Sequence, residues 1–166
     1  MIRDIVRWPD PVLAQPCAPI EEVTKTVQTL AQDMLDTMYD APGRGLAAPQ
    51  IGISQRMFVM DVAWKDGPAE PVVCINPEIT WRSETQVQSG EGCLSIPGLL
   101  VDVVRSAEVD LSWTDQNGVS HTSRFDGFAS LCIQHETDHL DGIVTLDRVD
   151  AGTRDALIAE YEALSK

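Results

Sequence analysis

Basic residues are scarce in this 166-residue chain: twelve Lys and Arg stand against 26 Asp and Glu, a formal net charge of −14. Nucleic-acid binding draws on clustered cations that displace counterions from phosphates, and adhesion to anionic lipid draws on the same charge, so this balance argues against both partners. Long apolar runs are absent too. No stretch approaches the 18 residues of a spanning helix, and the start, Met1-Ile2-Arg3-Asp4 with Pro9 and Pro11 close behind, has no apolar leader segment. A cytoplasmic location is expected. The four cysteines, Cys17, Cys74, Cys93 and Cys132, are widely spaced with no C-x-x-C pair. A chain of this length buries roughly 70% of its unfolded surface without staples, so reduced thiols are expected. Repeats, low-complexity tracts and dividing linkers are missing as well, which points to one domain over residues 1–166.

What is present is ordinary globular composition, 43% apolar and 23% charged, enough to build a core. Pro9, Pro11, Pro16 and Pro19 predict an opening segment that runs over the surface as extended chain. From Glu21, the apolar residues Val23, Val27, Leu30, Met34 and Met38 recur at helical spacing, with Glu21 and Glu22 in the first turn and a stop at Pro42-Gly43. A Gly-rich loop over 43–52 follows, then short strand-like runs at 57–62, 72–75 and 85–87. Residues 108–114 and 119–125 flank Asn117-Gly118, a strong hairpin signal. Helical spacing returns at Gly127, with Phe128, Leu131, Cys132, His135 and His139 on one face and Ile133 and Leu140 on another. Such a helix belongs in the middle of the fold. A last amphipathic helix is expected over about 153–164. Helix, strands and then helices in that order imply an α+β fold.

Histidine is scarcer still, and two of the three residues, His135 and His139, bracket Glu136 in an H-E-x-x-H pattern. On a helix, positions i and i+4 lie about 5–6 Å apart, so both imidazoles can reach one metal. Glu136 is rotated off that line and suits a general base. A catalytic tetrahedral site needs a third protein ligand. Cys93, in the glycine-flanked run Gly90-Glu91-Gly92-Cys93-Leu94-Ser95, is one candidate; Glu160, on a polar helix face downstream, is the other. Cys17, Cys74 and Cys132 read as small buried hydrophobes. The loop over 43–50, ending in Gln50, is either a plain helix-to-strand connection or a substrate edge with an oxyanion contact.

Taken together, G-R-G-L-A-A-P-Q (43–50), E-G-C-L-S (91–95) and Q-H-E-T-D-H-L-D-G (134–142) resemble the three signature motifs of peptide deformylases, in order and at similar separations. W-P-D-P-V-L (8–13) is similar to that family's opening, and the resemblance runs from about residue 1 to 150. It implies a central H-E-x-x-H helix surrounded by antiparallel or mixed sheets. It also implies one divalent metal held by Cys93, His135 and His139, natively Fe(II), with Zn(II), Ni(II) or Co(II) as replacements. Glu136 becomes the general acid/base, the Gln50 amide and the Leu94 N–H the donors to the formyl oxygen, and Gly45 the partner of an extended substrate. Arg44, Glu91, Phe128, Leu131 and Cys132 fall to the substrate pocket. The implied reaction is hydrolysis of the N-formyl group of formylmethionyl peptides or nascent chains.

Three departures stand out. Arg44 occupies a position that is usually aliphatic in the family, where a cation can either hold an acidic substrate group or lie along its stem toward solvent. Leu100 stands in a stretch, 97–105, where many members carry a basic substrate contact; Arg44 or Arg105 are the possible substitutes. The last helix carries Asp155, Glu160 and Glu162 beside Arg154 and Lys166, which argues against ribosome docking through a basic C-terminal helix. Competing readings are an amidase on the same scaffold acting on another N-formyl or N-acyl amine, a metal-holding protein without turnover, and a metalloprotease using Glu160.

Overall fold

The computed structural model describes residues 1–164. Helix α1 is Lys25–Asp40. It begins later than the apolar spacing predicts, because the Thr24 side chain accepts from the Val27 N–H and caps it there, leaving Glu21 and Glu22 ahead of the first turn. Within the Gly-rich loop lie strand β1, Gly45–Ala47, and a short 3-10 turn, Ala48–Ile51. Strands β2 (Met57–Met60), β3 (Val72–Arg82), β4 (Gln86–Cys93), β5 (Ile96–Ser106), β6 (Val109–Thr114) and β7 (Ser120–Phe125) follow. Helices α2, Gly127–Leu140, and α3, Ala151–Leu164, come after them.

Two sheets result, a five-stranded one in the order β1-β2-β3-β6-β7 and a β4-β5 pair, every strand pairing antiparallel. Strand β2 explains how the larger sheet is covered. Its side chains alternate, Met57 and Val59 packing with Leu30, Met34 and Met38 of α1, and Phe58 and Met60 packing with Ile133 and Leu140 of α2. The sheet is therefore covered on both faces at β2, whose four residues are all buried, while β7 at the far edge is largely exposed. Inward-facing Leu99, Val101 and Val103 of β5 form a third cluster with Leu13, Leu146 and Tyr161. Helix α2 lies between the two sheets, as its all-round apolar character predicts, in an α+β fold. Its end is fixed by Gly142, at φ +77°, where a Cβ would come within 2.8 Å of the Ala14 backbone. Among the described residues, no helix is long and apolar enough to cross a membrane.

The structure corrects several expected boundaries. Strand β5 carries no strand expectation because Pro97 and Gly98 stand at its start, and β3 runs well beyond residue 75 through register shifts near Asn76 and Pro77. Asn76 takes φ 49° and pins the N-terminal segment by bonding the Ile20 N–H and carbonyl. That segment is not wholly extended: Pro11–Ala14 forms a 3-10 turn that buries Leu13.

Candidate metal centre and substrate cleft

Three elements converge. Cys93 ends β4, just before the two-residue turn into β5, while His135 and His139 sit one turn apart on α2. Their ligand atoms all lie within 4.8 Å of one another. Bonds of about 2.3 Å to sulfur and 2.0–2.1 Å to nitrogen, at a tetrahedral angle, set those two atoms about 3.6 Å apart. The Cys93 Sγ to His139 Nε2 separation is 3.5 Å. Glu91 Oε1 lies 2.9 Å from His135 Nδ1, which turns the other ring nitrogen toward the cluster.

Charge in the cluster also fits a cation. Burial opposes a proton on His135, yet Glu136, Cys93 and Glu91 together raise its pKa well above the ordinary value. For His139, burial, with the charges of His135 and Arg105, pushes the pKa well down and keeps the imidazole neutral, the form that binds metal. The donor set, one thiolate and two imidazoles, suits a transition metal rather than magnesium or calcium.

Glu136 is almost wholly buried, and its Oε2 has no hydrogen-bond partner in the protein. Burial pushes its carboxyl up to about 7 while His135 pulls the other way. Glycine at position 45 is what lets β1 approach: a Cβ there would lie 2.9 Å from Cys132 Sγ and 3.1 Å from Glu136 Cδ. Gln50 is held by its own turn. Its Oε1 accepts from the Ala47 N–H at 2.9 Å, which orients Nε2 toward Ser95 Oγ at 3.1 Å and Cys93 Sγ at 3.6 Å. The contact with sulfur is the weaker one, so that hydrogen is the one an incoming oxygen can take.

A cleft of about 650 Å³ opens beside these groups. Cys93, His135 and Glu136 line it, as do Gln50, Leu94, Arg44, Gly45, Glu91, Phe128, Leu131 and Cys132; His139 lies beneath. Glu91 borders the cleft with both carboxylate oxygens engaged by His135 and Arg105. Glu160 is exposed on α3, outside the ligand cluster, which removes the metalloprotease arrangement. Leu100 is 71% exposed at the cleft margin, whereas Arg105 is 5% exposed and cannot replace a substrate-contacting cation there.

Sequence reasoning missed the layer behind the ligands. Arg105 grips Glu91 through Nε at 2.6 Å and Nη2 at 2.9 Å, and reaches Asp138 through Nη1 at 2.9 Å. Asp138 in turn accepts two bonds from Arg148, at 2.6 and 3.0 Å. A signal was available: Arg105 has the parity of the inward residues Leu99, Val101 and Val103, and an inward charge on a strand needs a buried partner.

An H-E-x-x-H helix flanked by antiparallel sheets, with a Cys-His-His cluster opening onto a cleft, defines a metal-dependent hydrolase. A sequence profile of the family described as Polypeptide deformylase matches residues 2–155. A peptide deformylase of Rhizobium meliloti is 39% identical over 165 residues, covering 99% of this chain and 95% of that one. The peptide deformylase of Agrobacterium fabrum is 44% identical over 160 residues, covering 96% and 94%. Among solved structures, a peptide deformylase from Ehrlichia chaffeensis in complex with actinonin superposes with a TM-score of 0.92 at 33% identity, covering 99% of this chain and 98% of that one. The chain belongs to the peptide deformylase family, hydrolases that remove the N-formyl group from nascent peptides.

Proposed function

We propose that this chain deformylates N-formylmethionyl peptides and nascent chains, with Cys93, His135 and His139 holding one divalent metal and Glu136 moving the proton. The observation that carries the reading is the buried, unpartnered Glu136 Oε2 beside three converging ligand atoms on a peptide-sized cleft. A bound metal supplies Lewis acidity and brings the pKa of a coordinated water down to about 7.

The protein does the rest. Gly45 and the short edge strand β1 pair with the peptide backbone, while Phe128, Leu131 and Cys132 receive the side chain of its first residue. Gln50 Nε2 and the Leu94 N–H point at the formyl oxygen and stabilise the charge that builds there; each such donor is worth about 10²–10³ in rate. Glu136 accepts the proton of the water that attacks the formyl carbon, then passes it to the nitrogen as the C–N bond breaks. Formate and a free amino terminus are the products. Glu91 and Arg105 keep the His135 ring in place throughout.

Fe(II) is the metal we assign natively, with Zn(II), Ni(II) or Co(II) able to take the same donors. We place the reaction in the cytoplasm, without nucleic-acid or membrane partners. The acidic exposed residues Asp155, Glu160 and Glu162 of α3 argue against ribosome docking by that helix, and Lys166 lies outside the described residues. The test is anaerobic formate release from formyl-Met-Ala-Ser with metal analysis of the same sample. Wild type should release formate with one metal per chain, and Glu136→Ala should keep the metal and lose the reaction. A metal-loaded wild type that releases none would overturn the assignment.

A further inference from the structure

Among the described residues, Arg44 and Lys65 are the only Lys or Arg side chains lining the cleft, and they sit on neighbouring segments. In a chain of net charge −14 this is a local exception. The backbone beside Arg44 is braced, the Asp61 N–H donating to the Arg44 carbonyl at 2.9 Å and the Trp64 indole donating to the Gly43 carbonyl at 2.9 Å. Its guanidinium carbon lies 5.2 Å from the centroid of the half-exposed Phe128 ring, so the stem does not run out to solvent.

The charge is poorly used within the protein. Arg44 Nε is buried with no hydrogen-bond partner, and the one ion pair, Nη2 to Asp66 Oδ2, is long at 3.5 Å and involves a carboxylate that is 82% exposed. Such a pair is easily exchanged, which leaves the Nη groups of the partly exposed Arg44 side chain to an incoming carboxylate. Strand β1 begins at the next residue and is the outer strand of its sheet, with β2 as its sole sheet partner among the described residues. An extended peptide laid along that edge passes beside Arg44.

We propose that Arg44, assisted by Lys65, makes the cleft select formylated peptides that carry a carboxylate within two residues after the formylated one. This deepens the deformylase reading and depends on it. The carboxylate can come from an acidic side chain or from the C-terminus of a short peptide, and the test separates the two.

Metal-loaded enzyme is assayed at low salt with formyl-Met-Glu-Glu-amide, formyl-Met-Gln-Gln-amide, formyl-Met-Lys-Lys-amide and formyl-Met-Gln-Gln free acid. The Glu-Glu peptide should exceed its Gln-Gln isostere in kcat/KM by about three- to tenfold, chiefly through KM, with the Lys-Lys peptide poorest. A free acid that exceeds its amide as strongly while Glu-Glu does not would move the assignment from acidic side chains to short-peptide termini. Arg44→Gln should bring the Glu-Glu to Gln-Gln ratio to about one, and Asp66→Asn should raise it by removing the competing carboxylate. In wild type, 0.5 M salt should shrink the ratio. Equal turnover of all four peptides, or a ratio that survives Arg44→Gln, overturns the inference and leaves the deformylase reading standing. Absence of formate from every peptide overturns the deformylase reading and this inference with it.

Discussion

Replacing Arg105 with Met would remove the one cation that lies between two buried carboxylates. Arg105 is 5% exposed, and the Glu91 and Asp138 side chains are 10% and 8% exposed. Its three hydrogen bonds, at 2.6, 2.9 and 2.9 Å, all end on those carboxylates. Breaking a buried pair by deleting one partner costs about 3–5 kcal/mol, because the surviving charge is left in a medium that solvates it badly. Here each carboxylate keeps a second partner, His135 for Glu91 and Arg148 for Asp138, so the lower end, about 3 kcal/mol, is expected. For a chain of this size that is a fall in Tm of about 6–12 °C. Glu91 also loses the fork that aims it at His135, which should weaken metal binding about 10- to 100-fold. Urea and thermal unfolding measure the first effect, and competition with a chelator measures the second. Restoring charge balance in the double variant Arg105→Met, Glu91→Gln, which leaves Asp138 paired with Arg148, should recover much of the stability but not the metal affinity. An Arg105→Met protein with wild-type Tm and wild-type metal affinity would refute the idea that this network positions the ligand.

Two further outcomes follow from the same geometry. Gly45→Ala forces a methyl group to 2.9 Å from Cys132 Sγ and 3.1 Å from Glu136, an overpacking cost of about 1–3 kcal/mol. Activity should fall further than stability, because Glu136 must shift; Gly90→Ala, whose new Cβ meets Asp102 at an ordinary 3.5 Å, is the control for stability. Peroxide should inactivate the enzyme with oxidation at Cys93 first, since burial raises the pKa of Cys17, Cys74 and Cys132 and keeps those thiols protonated. Tryptic mass spectrometry reads the site, and full activity with Cys93 oxidised would contradict its place among the ligands.

The centre of the site was legible because its chemistry is local. His135, Glu136 and His139 need only one helix to come together, and the apolar residues around them place that helix between two layers. Cys93 stood out as third ligand by its glycine-flanked loop, against Glu160 on an ordinary polar helix face, and the resemblance of three segments to a family pointed the same way. Less legible were features decided by cross-strand packing. Strand β5 hides behind Pro97 and Gly98, and the reach of Arg105 to both Glu91 and Asp138 exists only once β5 lies against β4 and α2. The start of α1 turned on a single cap, Thr24, against a run of acidic residues equally suited to a first turn. At Arg44, the sequence left open whether the side chain meets solvent or substrate, and only the fold places the guanidinium against Phe128 among the cleft-lining residues.

The central claim is that one sulfur and two imidazole nitrogens surround a single cation. X-ray absorption on protein loaded with one equivalent of zinc tests it directly. One sulfur at about 2.3 Å with two nitrogen neighbours at about 2.0–2.1 Å is the expected shell. A first shell with no sulfur, or a protein that takes up no zinc at all, would contradict it.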